Sequence, residues 1–188
     1  PFIHGTDTNQ QIVAIEILAE LGASEQCPAL FELLSDRTWI AAYAVVGAIR
    51  RLKPDDEACE FLLSCLRTNY ADKRYFAALA LGELGQTDFI PHLLVLENDP
   101  EPHVQRAMLC ALAHCESASP EVVRVIAHSI KSPNGWVRLE ATRVAGELGL
   151  TELTPLLIPL LQDPDLRVVE QTVIALGKLD ATSALHSL

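Results

Sequence analysis

Apolar residues recur along this chain at intervals of three and four. Val137, Ala141, Val144, Ala145 and Leu148 are one example. That spacing puts them on one stripe of an α-helix. No segment shows the strict two-residue alternation of a half-buried strand. The stripes come in related phrases: AELG at 19–22, AIRRLK at 48–53, ALGELG at 80–85, ALAHCE at 111–116, AGELG at 145–149 and ALGKLD at 175–180. Indexed on the last apolar residue of each (Leu21, Leu52, Leu84, Cys115, Leu148, Leu179), the spacings are 31, 32, 31, 33 and 31. A fixed period of this size marks a repeat architecture in which each unit buries its apolar face against its neighbours.

Each copy reads as two helices. The first ends at the phrase, where Gly22, Gly85 and Gly149 occupy the slot favoured by a left-handed helix stop. The second is expected to start three residues after the index position, with Ser24, Asp55, Thr87, Thr151 and Thr182 as N-caps. In the fourth copy the slot moves by one to Ser119, followed by Pro120. Pro28, Pro91 and Pro155 fall in the first turn, about as late as a helix accepts proline. Ser35-Asp36, Asn98-Asp99-Pro100, Ser132-Pro133-Asn134 and Asp163-Pro164 close the units. The prediction is an all-α fold, an α-solenoid (α-α superhelix) of about six two-helix repeats. One domain covers 1–188, with units near 8–36, 37–68, 69–100, 101–133, 134–164 and 165–188.

The recurring pattern is R-x-x-A-x-x-x-L-G-x-L-G, then a second helix with an early Pro, then a closing Asp-Pro. Arg138…Ala141…Ala145-Gly146-Glu147-Leu148-Gly149…Pro155…Asp163-Pro164 follows it best. Arg74…Ala77…Ala80-Leu81-Gly82-Glu83-Leu84-Gly85…Pro91…Asp99-Pro100 is next. The pattern resembles the short HEAT-like repeat of the phycobilisome-lyase type over roughly residues 8–188. The second copy departs most, with Lys53 where Gly is expected. The resemblance implies an armadillo-like solenoid whose second helices line a concave binding face. It also brings enzyme relatives into view. A phycobilin-lyase-type subunit acting on bilins is the alternative reading of function. Deoxyhypusine hydroxylase-like iron binding requires His-Glu dipeptides, and none of the six histidines is followed by Glu.

Charge narrows the classes of partner. With 14 Lys+Arg against 25 Asp+Glu, the net charge is −11. That argues against nucleic acid, including the basic groove of HEAT-like DNA glycosylases, and against anionic membrane surfaces. No apolar run approaches the roughly 20 residues of a membrane span. The first helices and their flanks carry eleven bases and ten acids. The second helices carry ten acids against Arg67, Arg124 and Lys131. The excess therefore lies on second helices and turns.

Helical register then nominates the outward residues. Counting from the index residue, slots 6, 9, 10 and 13 are mostly apolar and predicted to be core, as at Cys27, Leu30, Phe31 and Leu34. Slots 5, 8, 11 and 12 are predicted to face outward. Among them Glu57, Glu60, His92, Val95, Arg124, His128, Leu156 and Pro159 are the candidate protein-binding residues. Acids gather toward the N-terminal half and apolar groups toward the C-terminal half. This suits a protein or peptide partner with basic and apolar residues. The expected function is a non-enzymatic interaction or scaffold module.

No arrangement of catalytic, cofactor-binding or metal-ligating residues stands out. The five cysteines contain no CxxC pair and read as small core hydrophobes in a reducing, cytoplasmic setting. His103, His114 and His128 have no ligand spacing and read as surface or capping residues. Trp39 and Trp136, at the starts of first helices, read either as wedges of the inter-repeat turns or as exposed anchors. A chain that opens on Pro1 and ends inside a second helix is expected to be a segment of a longer polypeptide.

Overall fold

The computed structural model describes the backbone of residues 8–35 and 39–186, with side chains through residue 180 apart from Ser35. Every regular element among the described residues is helical. The first helices of successive units are α1 (Thr8–Leu21), α3 (Ile40–Leu52), α5 (Ala71–Leu84), α7 (Pro102–His114), α9 (Gly135–Glu147) and α11 (Leu166–His186). They stack one on the next in a single layer. The second helices are α2 (Cys27–Phe31), α4 (Asp56–Cys65), α6 (Ile90–Leu93), α8 (Pro120–Ser129) and α10 (Thr154–Leu157). Each unit's second helix packs under the first helix of the unit that follows. The core is therefore a continuous seam, from Ile15 and Phe31 through Phe76, Leu93 and Met108 to Leu157 and Leu179.

Small residues set the spacing of the first-helix layer. A Cβ on Gly82 would meet Ala111 Cα at 2.6 Å, and one on Gly146 would meet Ala175 Cα at 2.9 Å. Both glycines sit inside helices, where glycine costs about 1 kcal/mol relative to alanine. The close approach of two backbones explains why they are there. The helix stops are left-handed as expected, with Gly85 at φ 66° and Gly149 at φ 67°. Lys53 and Glu116 adopt the same conformation at φ 49° and 47° in the second and fourth units. The departure at Lys53 thus keeps the geometry at a cost of about 1–2 kcal/mol in backbone strain.

The second helices are of two kinds, and proline decides which. Asp55 Oδ1 accepts from Ala58 N at 2.9 Å, Ser119 Oγ accepts from Val122 N at 3.4 Å, and α4 and α8 are regular. Ser24, Thr87 and Thr151 do not cap. They open 3-10 turns (Ser24–Gln26, Thr87–Phe89, Thr151–Leu153) without a side-chain cap bond. Each precedes a proline by four residues. Pro28, Pro91 and Pro155 have no N–H to give the carbonyls of Ser24, Thr87 and Thr151. The residue before each proline donates instead, in the tighter three-residue pattern. Further 3-10 turns close these helices at Glu32–Ser35, Leu94–Leu96 and Ile158–Gln162.

The sixth unit also differs from expectation. A second helix starting at Thr182 is predicted, but α11 runs unbroken to His186. Asp180 stands where Gly22, Gly85 and Gly149 stand, and neither Gly nor Pro follows it before Leu188. Nothing local stops the helix.

Candidate protein-binding face

Of the eight residues nominated from register, seven are exposed: Glu57, Glu60, His92, Val95, Arg124, His128 and Pro159. Leu156 is half-buried and packs against the core. The 3-10 turns explain where register fails. At three residues per turn, side chains three apart eclipse one another. Leu33, Phe89, Leu96 and Leu153, expected to face outward, are buried. Ile158 and Leu161, expected in the core, are 54% and 40% exposed. The apolar part of this face is therefore Val95, Ile158, Pro159 and Leu161, with Leu156 at its edge.

Glu57 and Glu60 lie three residues apart on α4. Among the described residues neither has an ion-pair partner within 4 Å. Arg124 and His128 are not free in this way. Glu97, expected as core, closes the third unit's second helix and takes both of them. Arg124 donates through its two terminal nitrogens at 3.0 Å each, and His128 Nδ1 donates at 2.8 Å. The Arg124 guanidinium, with His128 beside it, holds the Glu97 carboxyl below its ordinary range against the opposing effect of burial. This pairing ties the third unit to the fourth beside a polar cleft of about 310 Å³ lined by Glu97, Gln105, His128 and Asn134. Its members lie 27 and 31 residues apart and are not part of the recurring repeat pattern.

A second pairing follows the repeat pattern of the sequence. Arg74 grips Asp99 with two bonds at 2.6 and 2.8 Å and gives a third at 2.9 Å to the Thr68 carbonyl. Arg138 does the same with Asp163 at 2.7 and 2.7 Å, and with the Ser132 carbonyl at 2.9 Å. Each aspartate also accepts a backbone N–H two residues on. The arginine at the start of a unit thus holds the turn before it and the turn that ends it. Both pairs keep the 25-residue spacing of the two best repeat copies.

On the first-helix layer, Trp39 stacks on Tyr75 (5.7 Å between centroids) and donates to Asp72 at 3.2 Å, while 37% exposed. Tyr43 and Tyr75 join hydroxyl to hydroxyl at 2.8 Å. Trp136, 45% exposed, lies between the guanidinium of Arg106 at 5.0 Å and that of Arg167 at 3.7 Å. Each tryptophan thus packs at the start of a first helix and remains partly exposed. His103 Nδ1 is 4.0 Å from Glu101, and His114 Nδ1 is 3.8 Å from Glu83.

Cys27, Cys65 and Cys115 are core residues, while Cys59 and Cys110 are half-buried. Burial, aided by nearby carboxylates, pushes the Cys27 and Cys110 thiols up to about 11. Among the described residues no three His, Cys, Asp or Glu side chains group closely enough to hold a metal ion. No described helix is long and apolar enough to cross a membrane.

These observations define a helical-repeat solenoid, a fold typical of protein-interaction scaffolds. The sequence profile of HEAT repeats matches residues 2–74 and 122–188, and the chain belongs to that family. No curated relative matches it. Among solved structures, an engineered protein superposes with a TM-score of 0.61 at 21% identity, covering 96% of this chain and 94% of its own. A second engineered protein gives 0.55 at 18%, covering 96% of both. A designed armadillo repeat protein, described in complex with the peptide (KR)4, gives 0.50 at 15%, covering 94% of this chain and 96% of its own. At these identities the likeness is one of fold.

Proposed function

We propose that the chain is a non-enzymatic binding module that holds a basic and apolar protein segment on a concave face made by its second helices. The observation that carries this reading is the unpaired, exposed Glu57 and Glu60 on α4, set on the same layer as the exposed Val95, Ile158 and Pro159. Unpaired acids raise the local concentration of a cationic partner and steer its approach. The exposed apolar side chains offer area that gains from leaving water. The armadillo neighbour in complex with (KR)4 lends support to a basic peptide as the ligand class.

The test is calorimetric titration of the chain with (KR)4 at low and physiological salt. Binding is expected to weaken steeply with salt. The Glu57→Lys/Glu60→Lys double variant is expected to bind at least about tenfold more weakly, which corresponds to 1.4 kcal/mol. Unchanged affinity in that variant removes the second-helix face as the site.

A further inference from the structure

The two ends of the first-helix layer expose what its interior buries. Each inner first helix turns one side to the helix before it and the other to the helix after it. The close contacts of Gly82 with Ala111 and of Gly146 with Ala175 fix which residues meet. The slot two before the index residue of one unit lies against the slot four before the index residue of the next. Slots one helical turn further back, at six and eight, continue the same two sides.

The slot six before the index faces the following unit. It holds Ile15, Val46, Ala78, Leu109 and Thr142, all buried, and then Val173 on α11, which is 58% exposed. The slot four before the index faces the preceding unit. It holds Ala48, Ala80, Ala111, Val144 and Ala175, all fully buried, whereas Ile17 on α1 is 55% exposed. Val13, one turn back from Ile17, is exposed as well. Among the first helices described, α1 stacks on α3 alone and α11 on α9 alone. Gly177 stands on α11 in the slot of Gly82 and Gly146, but there an added Cβ meets nothing within 4 Å.

We propose that the chain associates head to tail with a second copy of itself, α1 of one copy stacking on α11 of the next as first helices stack inside the chain. The exposed sides of α1 and α11 are the two halves of a contact that every internal junction makes, so a second copy brings the matching half to each. The internal register sets Ile17 of one copy on Gly177 of the other, and Val13 on Val173. The bulk fits. Glycine with isoleucine has as many side-chain carbons as alanine with valine, and Ala113 and Val144 hold these slots in the fourth and fifth units. The contact is heterologous, so a dimer keeps one free half of each kind and can grow. Removing these apolar side chains from water favours it, and the charge of −11 on each copy opposes it.

Sedimentation velocity of the full chain, from about 10 µM to about 1 mM, tests this at low and physiological salt. The weight-average mass is expected to rise with concentration past that of a dimer, and to rise further as salt screens the like charges. Ile17→Glu blocks one half and Val173→Glu the other, and each variant alone is expected to stay at 20.5 kDa. Mixed in equal amounts they retain one intact pair of halves, and are expected to form a dimer that grows no further. Ile40→Glu adds the same charge at another exposed apolar side chain and is expected to associate as the wild type does. Circular dichroism checks that each variant is folded, with Val13→Glu and Gly177→Glu replacing Ile17→Glu and Val173→Glu if either is not. A wild-type chain that stays monomeric over the whole range, association that weakens with salt, association kept by either end variant alone, or a mixture that stays monomeric overturns the proposal.

Discussion

At the scale of single residues, the Arg–Asp clasps carry the largest electrostatic stakes. Arg138 and Asp163 are almost withdrawn from water, with side chains 13% and 3% exposed. Removing one partner of such a pair strands the other charge and typically costs about 3–5 kcal/mol. Asp163→Asn is therefore expected to lower stability near neutral pH by about 3 kcal/mol, measured by urea unfolding. The clasp also has a pH signature. Hydrogen bonds from Arg138 hold the Asp163 carboxyl below the ordinary carboxylate range despite burial. A depressed folded-state pKa adds stability above the ordinary value near 4 and loses it as pH falls through the depressed one. The gap between wild type and Asp163→Asn is expected to narrow below pH about 4. A constant gap down to pH 2.5 would assign the loss to something other than the carboxylate. The clasp was written in the sequence as a recurring Arg and Asp-Pro, but only the fold shows that the two ends meet.

At the scale of the helix, legibility divides along proline. The first helices, their stops and the period could be read because glycine and the apolar stripe act locally. For the second helices the sequence locates starts and prolines, yet regular α-helical register misplaces Leu33, Phe89, Leu96 and Leu153. A proline that removes one N–H converts the turn before it to 3-10, and that change rotates every later side chain. Glu97 escaped for the same reason. Where no proline lies four residues after the cap, on α4 and α8, register and structure agree: Glu57, Glu60, Arg124 and His128 are all exposed. The helical glycines give an opposed pair of expectations. At Gly177 an added Cβ meets nothing within 4 Å, so Gly177→Ala should stabilise by up to about 1 kcal/mol. At Gly82 the added Cβ meets the Ala111 backbone, so Gly82→Ala should destabilise by about 1–3 kcal/mol in spite of the better helix former. Chemical denaturation of the two variants side by side decides the matter, and a common sign would refute the close-approach account.

The whole molecule is a one-dimensional stack, and its stability is a chain of neighbour terms. Damage should therefore stay local. Asp163→Asn loosens the turn between the fifth and sixth units, while the units built on α1, α3 and α5 share no contact with it. Native-state hydrogen exchange is expected to show faster opening in α9 and α11, with protection in α3 and α5 unchanged. A uniform loss across all helices would show that the solenoid opens as one block. The charge arithmetic also becomes spatial at this scale. Among the described residues the first-helix layer has Arg51, Arg74, Arg138 and Arg143 paired with carboxylates, while the second-helix layer turns Glu57 and Glu60 outward without an ion-pair partner.

The buried thiols have a practical consequence. Cys27 lies in the first unit, Cys59 and Cys65 in the second, and Cys110 and Cys115 in the fourth. Burial raises all five thiols, so little thiolate is available for attack while the helices are closed. Each cysteine becomes reactive when its own unit breathes. Pulses of an alkylating reagent, read by mass at each position, would time the opening of one part of the solenoid against another without any added label.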